Sequence, residues 1–274
     1  MVNKLLLTSK TLVMGILNVT PDSFSDGGLY LDYDKAVAHG ESLAADGADI
    51  IDVGGVSTRP FSEPVSQVEE LNRVIPVIKK LSQRVSATIS VDTFRAEVAA
   101  QAIASGAGMV NDIGSLRLDS QLGNVVAQAD IPVVLMHMQG TPKTMQVNPI
   151  YCADVVKEIL CFLSDSINLA IKTGIRKENI IVDPGIGFGK TIAHNLIIIK
   201  ELERLQALGC PILIGASRKS FIGEVLGEKT PSQRDTGTMA VTAIAVMNGA
   251  KIVRVHDVKQ TVNIVRMVEA IKTS

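Results

Sequence analysis

Residues 11–19 read TLVMGILNV and residues 211–216 read PILIGA, and both runs are apolar almost throughout. A strand with one solvated face alternates apolar and polar residues, whereas a parallel strand covered on both faces is apolar on both. These two runs therefore predict buried parallel strands. Similar runs rich in Val and Ile recur, and we predict strands near 11–19, 49–54, 88–93, 109–113, 132–137, 180–185, 211–216 and 251–256.

Segments with the helical spacing of apolar residues lie between and after the predicted strands. They cover 34–46, 66–82, 95–105, 119–129, 153–173, 191–207, 234–248 and 258–272. A repeated strand-then-helix order implies right-handed crossovers and a parallel sheet. Eight such units favour an α/β fold of the closed (β/α)8 or TIM barrel type over an open doubly wound sheet. No linker or low-complexity tract interrupts residues 1–274, so we predict a single domain.

The composition excludes several functional classes. The 27 Lys and Arg nearly balance the 28 Asp and Glu, and six Phe, three Tyr and no Trp offer little for base stacking. We therefore expect no nucleic-acid or membrane partner. No apolar run reaches the roughly 18 residues of a membrane span. Lys10 interrupts the apolar start and no cleavage pattern follows, so no signal peptide is predicted. Cys152, Cys161 and Cys210 are scattered, which favours reduced thiols and a cytoplasmic location.

Polar residues collect where the predicted strands end. They are Asn18, Asp52, Asp92, Asn111, Asp112, His137, Asp183, Ser217, Arg218, Lys219, Arg254, His256 and Asp257. In a barrel, the carboxyl ends of all strands converge on one face, where the following loops build the active site. This concentration of polar residues favours an enzyme over a structural protein.

Three of these residues, Asp92, Asn111 and Asp183, suit a flat heterocycle. Carboxylate and amide groups can pair with the edge of an aminopyrimidinone ring, which alternates N–H donors with a carbonyl and ring nitrogens. Each residue alone could instead be the N-cap of the helix that follows. Three such residues at three strand ends favour a binding site.

Basic residues near the last strands indicate an anion site. The segment SRKSFIG (217–223) places two cations at a helix start, where they oppose the helix dipole. Arg254 and His256 are alternate residues of the last predicted strand and point to the same face. Because the loops after the seventh and eighth strands of many barrels bind phosphate, we predict a diphosphate site here.

Three loops allow more than one interpretation. The loop within 14–28 (MGILNVTPDSFSDGG) is an ordinary turn, or a mobile loop in which Asn18 offers its amide to a phosphate or Mg²⁺. In 49–60 (DIIDVGGVSTRP), Arg59 either faces solvent or clamps an anion. GIGFGKT (185–191) matches neither the P-loop nor the dinucleotide-binding fingerprint, so we assign its glycines to close backbone approach.

The four histidines do not have the spacing of a zinc site. The metal that we expect is Mg²⁺ brought by a diphosphate substrate, because Mg²⁺ needs few protein ligands when phosphates supply oxygens.

Taken together, the motifs resemble the dihydropteroate synthase family in identity and order, over essentially the whole chain. They are LNVTPDSFSDGG (17–28), DVGGVSTRP (52–60), SVDT (90–93), VNDI (110–113), LMHMQGTPKTMQ (135–146), DPGIGFGKT (183–191), GASRKSFIG (215–223) and VRVHDV (253–258). The resemblance implies a transferase of folate biosynthesis. It would condense 6-hydroxymethyl-7,8-dihydropterin diphosphate with 4-aminobenzoate, giving 7,8-dihydropteroate and diphosphate.

The resemblance further implies Mg²⁺ as cofactor, a homodimer, and sulfonamide inhibition at the 4-aminobenzoate pocket. It also implies a dissociative substitution at the pterin methylene carbon. We expect no covalent enzyme intermediate, because the motifs contain no Ser-His or Cys-His arrangement.

The resemblance assigns residues to four roles. The pterin pocket comprises Asp92, Asn111, Met136, Asp183, Phe188 and Lys219. The diphosphate site comprises Asn18, Arg254 and His256, with Asn18 as Mg²⁺ ligand. The 4-aminobenzoate pocket comprises Phe24, Thr58, Arg59, Pro60, Arg218, Lys219 and Ser220. The catalytic residues are Asp92, Asp183, Lys219, Arg254 and His256.

Two segments depart from the usual pattern of that family. The second loop commonly reads GGESTRPGA, but here Val56 replaces the acidic residue and Phe61 follows the Arg-Pro pair. After Asp92, the usual Ser-Lys-Pro is replaced by residues 94–96 (FRA). We expect neither departure to touch the pterin residues. Phe61 lies beside Arg59 in sequence and predicts altered sulfonamide affinity, which unchanged inhibition of Phe61→Gly would contradict.

Two rival functions share the barrel. A methyltransferase that passes a methyl group from a methyltetrahydrofolate to a corrinoid protein would have the pterin carboxylates, but would not need Arg254 and His256. A non-catalytic pterin-binding paralogue would be expected to lose Asn18, Arg59, Lys219 or Arg254. All of these residues are present.

Overall fold

The computed structural model describes residues 8–20, 29–56, 65–140, 145, 149–152 and 154–274. Its strands are β1 (Leu12–Asn18), β2 (Ile50–Gly54), β3 (Thr88–Asp92), β4 (Met109–Asp112), β5 (Val133–Met136), β6 (Ile180–Asp183), β7 (Leu213–Ile214) and β8 (Ile252–Val255). Its α-helices are α1 (Leu29–Ala45), α2 (Gln67–Leu81), α3 (Ala96–Ala104), α4 (Leu122–Ala129), α5 (Val155–Lys172), α6 (Ile192–Lys200), α7 (Ser220–Leu226), α8 (Asp235–Met247) and α9 (Val258–Thr273). Short 3₁₀ helices span Lys177–Asn179, Leu202–Leu208 and Pro231–Arg234.

The eight strands are parallel and close into a barrel. They are hydrogen-bonded in the order β6-β5-β4-β3-β2-β1-β8-β7. The two ends of this order meet at Val182 of β6, which forms a parallel bridge with Ile212 just before β7. The Val182 N–H also donates to the Pro211 carbonyl over 2.9 Å. The structure therefore confirms the predicted (β/α)8 barrel.

Alternation along the strands separates two apolar regions. Outward residues such as Val13, Ile51 and Val91 pack against the helices in the larger core. A second layer fills the barrel itself and consists of Leu12, Met14, Ile50, Met109, Val134, Ile181, Leu213 and Ile252. Because side chains alternate between faces, residues two positions further along each strand also point inward. The layer that these residues form is mostly polar and lies nearer the carboxyl ends of the strands. It includes Asp52, Asn111, Met136, Asp183 and Arg254.

Most predicted elements are found, with some differences in extent. Helix α1 begins at Leu29 rather than at the predicted residue 34. β7 is shorter than predicted because Pro211 has no N–H to donate and Ile212 makes only the isolated bridge. The predicted helix 191–207 is α-helical only to Lys200 and continues as a 3₁₀ helix that buries Leu202 and Leu205, a three-residue spacing that suits its period. A helix start was expected at SRKSFIG, but the short helix α7 that begins there was given no predicted range.

None of the described helices is long and apolar enough to cross a bilayer.

Candidate active site

Four residues lie side by side at the carboxyl ends of the first four strands. Parallel pairing places Asn18 beside Gly54, Gly54 beside Asp92, and Asp92 beside Asn111. Partners in this register point to the same face of a sheet, which here is the inside of the barrel mouth. The structure therefore brings together residues that the sequence analysis assigned to pterin, diphosphate and Mg²⁺.

The alternative that Asp92, Asn111 and Asp183 are helix caps is wrong, although Asp257 does cap α9 by accepting from the Gln260 N–H over 3.0 Å. The N-cap positions are held by Arg95 for α3, Gln121 for α4 and Thr191 for α6, and of these only Thr191 makes a side-chain capping bond. The Asp183 carboxylate does hold its own turn, because its Oδ1 accepts from the Gly185 N–H over 2.7 Å. Its remaining acceptor capacity is directed into the barrel mouth, where it is 6 % exposed.

Arg254 of β8 links the acidic residues of the inner layer. Its Nε donates to Asp52 Oδ2 over 2.6 Å, and its Nη2 donates to Asp92 Oδ2 over 2.8 Å. Asp52 Oδ2 also accepts from Asn111 Nδ2 over 2.9 Å. We call Asp52, Asp92, Asn111 and Arg254 the inner cluster. It joins strands β2, β3, β4 and β8 through charge-assisted hydrogen bonds, which are stronger than neutral ones.

Lys219 and Phe188 lie opposite each other at the mouth. Lys219 Nζ lies 4.5 Å from the centre of the Phe188 ring and donates to the Ile186 carbonyl. Gly187 makes this approach possible, because a Cβ there would lie 3.1 Å from Lys219 Cδ and its φ is +80°. On the neighbouring strand pair, Met136 lies beside Asp183 and is buried. These positions agree with a ring-shaped ligand between apolar walls.

Burial moves several pKa values in this region toward neutrality. It raises the pKa of Asp92 to about 7, against the lowering effect of Arg254. It also raises the pKa of Asp183, which Lys219 opposes most strongly. Burial lowers the pKa of Lys219 to about 8, while Asp183 acts in the other direction. Burial lowers the pKa of Arg254 too, but Asp52 and Asp92 outweigh it and the net shift is upward. Perturbed groups gathered in one cleft are typical of a functional site.

His256 follows β8 and is held by Ser217, which follows β7. The Ser217 Oγ lies 2.9 Å from His256 Nδ1 and accepts from the His256 backbone N–H over 3.2 Å. This contact fixes the ring beside the strand that carries Arg254. Ser217 was expected among the strand-end polar residues, but its role could not be predicted because nothing in the sequence indicates which side chain it contacts.

Arg218 forms an ion pair with the first residue of α8, Asp235. Its Nε and Nη2 donate to the two carboxylate oxygens of Asp235 over 2.7 and 2.8 Å. Its φ is +58°, and its backbone N–H donates to Thr238 Oγ1 over 3.0 Å. Ser220, the first residue of α7, is exposed. The geometry thus places Lys219 at the pterin residues, whereas the Arg218 guanidinium is already paired.

A buried pair, Lys190 and His137, lies behind the Phe188 loop and was not predicted from the sequence. Lys190 is 4 % exposed, and its Nζ lies 2.9 Å from His137 Nδ1 and donates to the Phe188 carbonyl over 3.0 Å. Burial is the main cause of the lowered pKa of both groups, and the value for His137 falls to about 2. Lys190 thus fastens the loop that carries Phe188 to the end of β5.

Four residues assigned to the 4-aminobenzoate pocket, Phe24, Thr58, Arg59 and Pro60, lie outside the described residues, as does Phe61. The departures at 56 and 94–96 can be located. Val56 and Phe94 line a small hollow that Asp92 also lines, so both departures lie near a pterin residue.

The oxygens that fit a substrate-borne Mg²⁺ border one small space. A Cβ added at Gly54 would lie 3.7 Å from Asp92 Oδ2 and 3.8 Å from Asn18 Oδ1. Among the described residues, no three His, Cys, Asp or Glu side chains are close enough to form a metal site. The residues present therefore suit a cation that takes most of its oxygens from a ligand.

Fold and site together define a barrel enzyme that binds a flat, hydrogen-bonding ring next to an anion. Comparison with known proteins gives the particular family. The sequence profile described as "Pterin binding enzyme" matches residues 14–256. Dihydropteroate synthase of Bacillus subtilis is 46% identical over 261 residues, covering 95% of this chain and 88% of that protein. Dihydropteroate synthase of Escherichia coli K12 is 48% identical, covering 94% and 90%.

Solved structures agree with the sequence comparison. Yersinia pestis dihydropteroate synthase in a sulfonamide drug complex superimposes with a TM-score of 0.91 at 45% identity, covering 97% of this chain and 96% of that one. The Xanthomonas albilineans enzyme in complex with 7,8-dihydropteroate gives 0.89 at 45% identity, covering 98% and 96%. The chain belongs to the pterin binding enzymes and, within them, to the dihydropteroate synthases of folate biosynthesis.

Proposed function

We propose that this chain joins 4-aminobenzoate to the methylene carbon of 6-hydroxymethyl-7,8-dihydropterin diphosphate by means of the inner cluster and its neighbours. The observation that carries the proposal is Arg254, which bridges from Asp52 to Asp92 and so places a cation next to a carboxylate suited to pterin. Related synthases have been solved with 4-aminobenzoic acid and with 7,8-dihydropteroate, which supports the same substrates here.

The pterin ring binds in the barrel mouth, between residues of β3 and β4 on one side and residues of β5 and β6 on the other. Asp92 and Asp183 accept from its N–H groups, and the amide of Asn111 pairs with its carbonyl edge. Met136 and Phe188 form the apolar walls, since one is buried beside Asp183 and the other lies under the Lys219 ammonium. Two carboxylates also stabilise positive charge that develops on the pterin methylene carbon.

The diphosphate binds toward β8 and β1. Arg254 and His256 donate hydrogen bonds to the leaving oxygens, and neutralising that charge makes diphosphate a better leaving group. Asn18 would hold Mg²⁺ by its amide oxygen, and the metal would supply further charge neutralisation on the diphosphate. Asn18 Oδ1 and Asp92 Oδ2 border the same space at Gly54, which supports this placement.

The 4-aminobenzoate binds on the side of Lys219 and Ser220. Phe24, Thr58, Arg59, Pro60 and Arg218 remain assigned to this pocket by resemblance alone. An arylamine needs no strong general base, so positioning is the main contribution of the protein to its attack. We propose that no covalent enzyme intermediate forms. A substrate adduct trapped on the protein and detected by mass spectrometry would contradict this.

Turnover with defined substrates tests the proposal. Purified protein is given 4-aminobenzoate and 6-hydroxymethyl-7,8-dihydropterin diphosphate, and pyrophosphate release is followed with Mg²⁺ or with excess chelator. We expect release that needs both substrates and is lost when Mg²⁺ is removed. Pterin binding without turnover would contradict catalysis and favour a non-catalytic paralogue. Methyl transfer from a methyltetrahydrofolate to a corrinoid would favour the methyltransferase.

We further propose a cytoplasmic homodimer. All three cysteines are free thiols, and Cys152 and Cys161 are exposed, which suits a reducing compartment. The outer faces of α8 and α9 expose large apolar side chains, namely Ile244, Met247, Met267 and Ile271. The two helices lie side by side, since Lys272 Nζ donates to the Val246 carbonyl over 3.0 Å. An exposed apolar face of this kind is typical of a subunit interface.

A further inference from the structure

Asp52 is the member of the inner cluster that has no assigned role. It lies in β2 between Ile51 and Val53, which pack outward into the larger core, so its carboxylate points into the barrel. The residue is 0 % exposed. Burying a carboxylate is costly unless its partners compensate for the lost hydration, so its partners indicate what it does.

One oxygen of this carboxylate contacts residues of two proposed subsites. Asp52 Oδ2 accepts from Arg254 Nε over 2.6 Å and from Asn111 Nδ2 over 2.9 Å. Arg254 is proposed to bind the diphosphate and Asn111 the pterin. A single buried atom therefore fixes the guanidinium and the amide relative to each other.

The other oxygen argues against a purely structural role. Within the described part of the chain, Asp52 Oδ1 is buried and has no hydrogen-bond partner. The same is true of the Ser90 hydroxyl, which lies beside Asp52 in the register of β2 and β3. Buried polar atoms without hydrogen-bond partners destabilise a folded protein, and each needs an explanation such as a functional role, strain or a bound water. A residue that served stability alone would not be expected to leave one carboxylate oxygen without a hydrogen-bond partner, as Asp52 does.

We propose that Asp52 is a positioning residue that holds Arg254 and Asn111 at the separation set by the one-carbon link between pterin and diphosphate. This inference rests on the roles proposed above for those two residues. Arg254 uses Nε and Nη2 for Asp52 and Asp92 in the described contacts, so Nη1 is the end that remains for an anion. The charge of Asp52 also gives Arg254 a second counterion, which leaves Asp92 able to accept from the pterin.

The test is the near-isosteric variant Asp52→Asn, assayed with both substrates. The variant keeps an oxygen acceptor but loses its charge, and the weaker hydrogen bonds to Arg254 and Asn111 predict a fall of about 10- to 100-fold in kcat/KM for the pterin diphosphate. The KM for 4-aminobenzoate, measured at saturating pterin diphosphate, stays within about twofold because Asp52 contacts no residue placed in that pocket. The thermal midpoint changes little, because Arg254 keeps Asp92 as a counterion and the amide oxygen of the variant can still accept from Arg254 and Asn111. Ser90→Ala, at the neighbouring inward position, keeps wild-type kinetics.

Coupling to Arg254 separates positioning from general damage. In the Arg254→Lys background the Nε donor is gone, so adding Asp52→Asn lowers kcat/KM by less than about threefold further. A merely structural role would lower the thermal midpoint and alter the kinetics of both substrates together. It would also give the same loss with and without Arg254→Lys.

Three outcomes overturn the inference. They are wild-type kcat/KM for the pterin diphosphate in Asp52→Asn, additive effects of the two substitutions, and insolubility of both Asp52→Asn and the smaller Asp52→Ser. Insolubility counts against it because the inference gives Asp52 no role in folding. If the wild-type protein itself releases no pyrophosphate, the proposed function fails instead.

Discussion

The Ser217 hydroxyl contacts the backbone N–H and the Nδ1 atom of His256. Replacing it in Ser217→Ala removes one contact of the ring that is proposed to donate to the diphosphate. One neutral hydrogen bond is worth about 0.5–1.5 kcal/mol, so we expect kcat/KM for the pterin diphosphate to fall about 2- to 10-fold. Steady-state kinetics measure this, with Ser217→Thr as the control that retains the hydroxyl. Equal losses in both variants would mean that the hydroxyl is not what matters.

The pKa of Asp92 predicts how pterin affinity depends on pH. Burial raises that pKa to about 7, so the carboxyl is protonated below this pH and ionised above it. Only the ionised form accepts from two pterin N–H groups, and the raised pKa of Asp183 acts in the same direction. We expect the affinity for 6-hydroxymethylpterin to rise about tenfold from pH 5.5 to 7, because one proton must leave. Fluorescence titration measures it.

The variant Asp92→Asn is the informative comparison for this pH dependence. It should bind more weakly and show a much flatter profile over the same range. Asp165→Asn removes an exposed carboxyl of α5 and should leave the profile unchanged. A wild-type affinity that does not vary with pH would contradict the assignment of Asp92 to the pterin.

At the residue scale, the sequence predicted positions better than contacts. Asp92, Asn111 and Asp183 could be found because a carboxylate or amide at an inward-facing position of a barrel strand end reaches the mouth. The contact of Asp52 with Arg254 joins β2 to β8 and depends on side-chain geometry that no local pattern carries. Lys190 has the same limitation, since a lysine after a glycine-rich loop is normally exposed, whereas here it is buried against His137.

At the element scale, the loop between β6 and α6 depends on glycine. A Cβ at Gly185 would lie 1.9 Å from the His137 carbonyl oxygen, and its φ is +68°. Gly227, after α7, has a φ of +74° but nothing within 4 Å. The left-handed conformation alone costs about 1–2 kcal/mol for a residue with a side chain. We therefore expect Gly227→Ala to lose about that much, and Gly185→Ala to lose more than about 3 kcal/mol because the backbone must also move.

Urea-induced unfolding followed by circular dichroism measures the free energy of unfolding of both glycine variants. Both variants pay the cost of a left-handed backbone conformation at a residue with a side chain. The difference between their free energies of unfolding therefore measures the clash with His137. Similar losses of unfolding free energy in the two variants would show that the β6–α6 loop can shift away from β5 at little cost. The close approach of Gly185 to His137 would then not fix the position of the loop.

The same scale shows what periodicity can and cannot predict. Strands that are buried on both faces have uninterrupted apolar runs, so the predicted bounds of β1 and β2 agree with the observed bounds to about one residue. β7 is reduced to Leu213–Ile214 because hydrogen bonding to its neighbour is interrupted, a property of two strands rather than one. The change from α-helix to 3₁₀ helix after Lys200 likewise depends on how Leu202 and Leu205 pack. Their three-residue spacing is compatible with an α-helix and with a 3₁₀ helix, so the sequence could not distinguish the two.

At the scale of the whole molecule, closure of the barrel turns sequence-distant residues into one site. The bridge at Val182 and Ile212 brings β6 next to β7, and this puts Asp183 near Lys219. The sequence predicted closure from the number of units and not from any single strand. The site therefore depends on all eight strands, although most of its charged groups come from β2, β3, β6 and β8.

The outer face of α8 and α9 connects this site to the proposed dimer. Asp235, the first residue of α8, pairs with Arg218 next to Lys219, so burial of α8 between subunits would restrain the 4-aminobenzoate side. We expect Met267→Glu to give a monomer by size-exclusion chromatography with light scattering, because the side chain it replaces is 62% exposed on an apolar face. Val68→Glu, equally exposed on α2, should leave the dimer intact. A wild-type monomer, or a Met267→Glu dimer, would rule out this face as the interface.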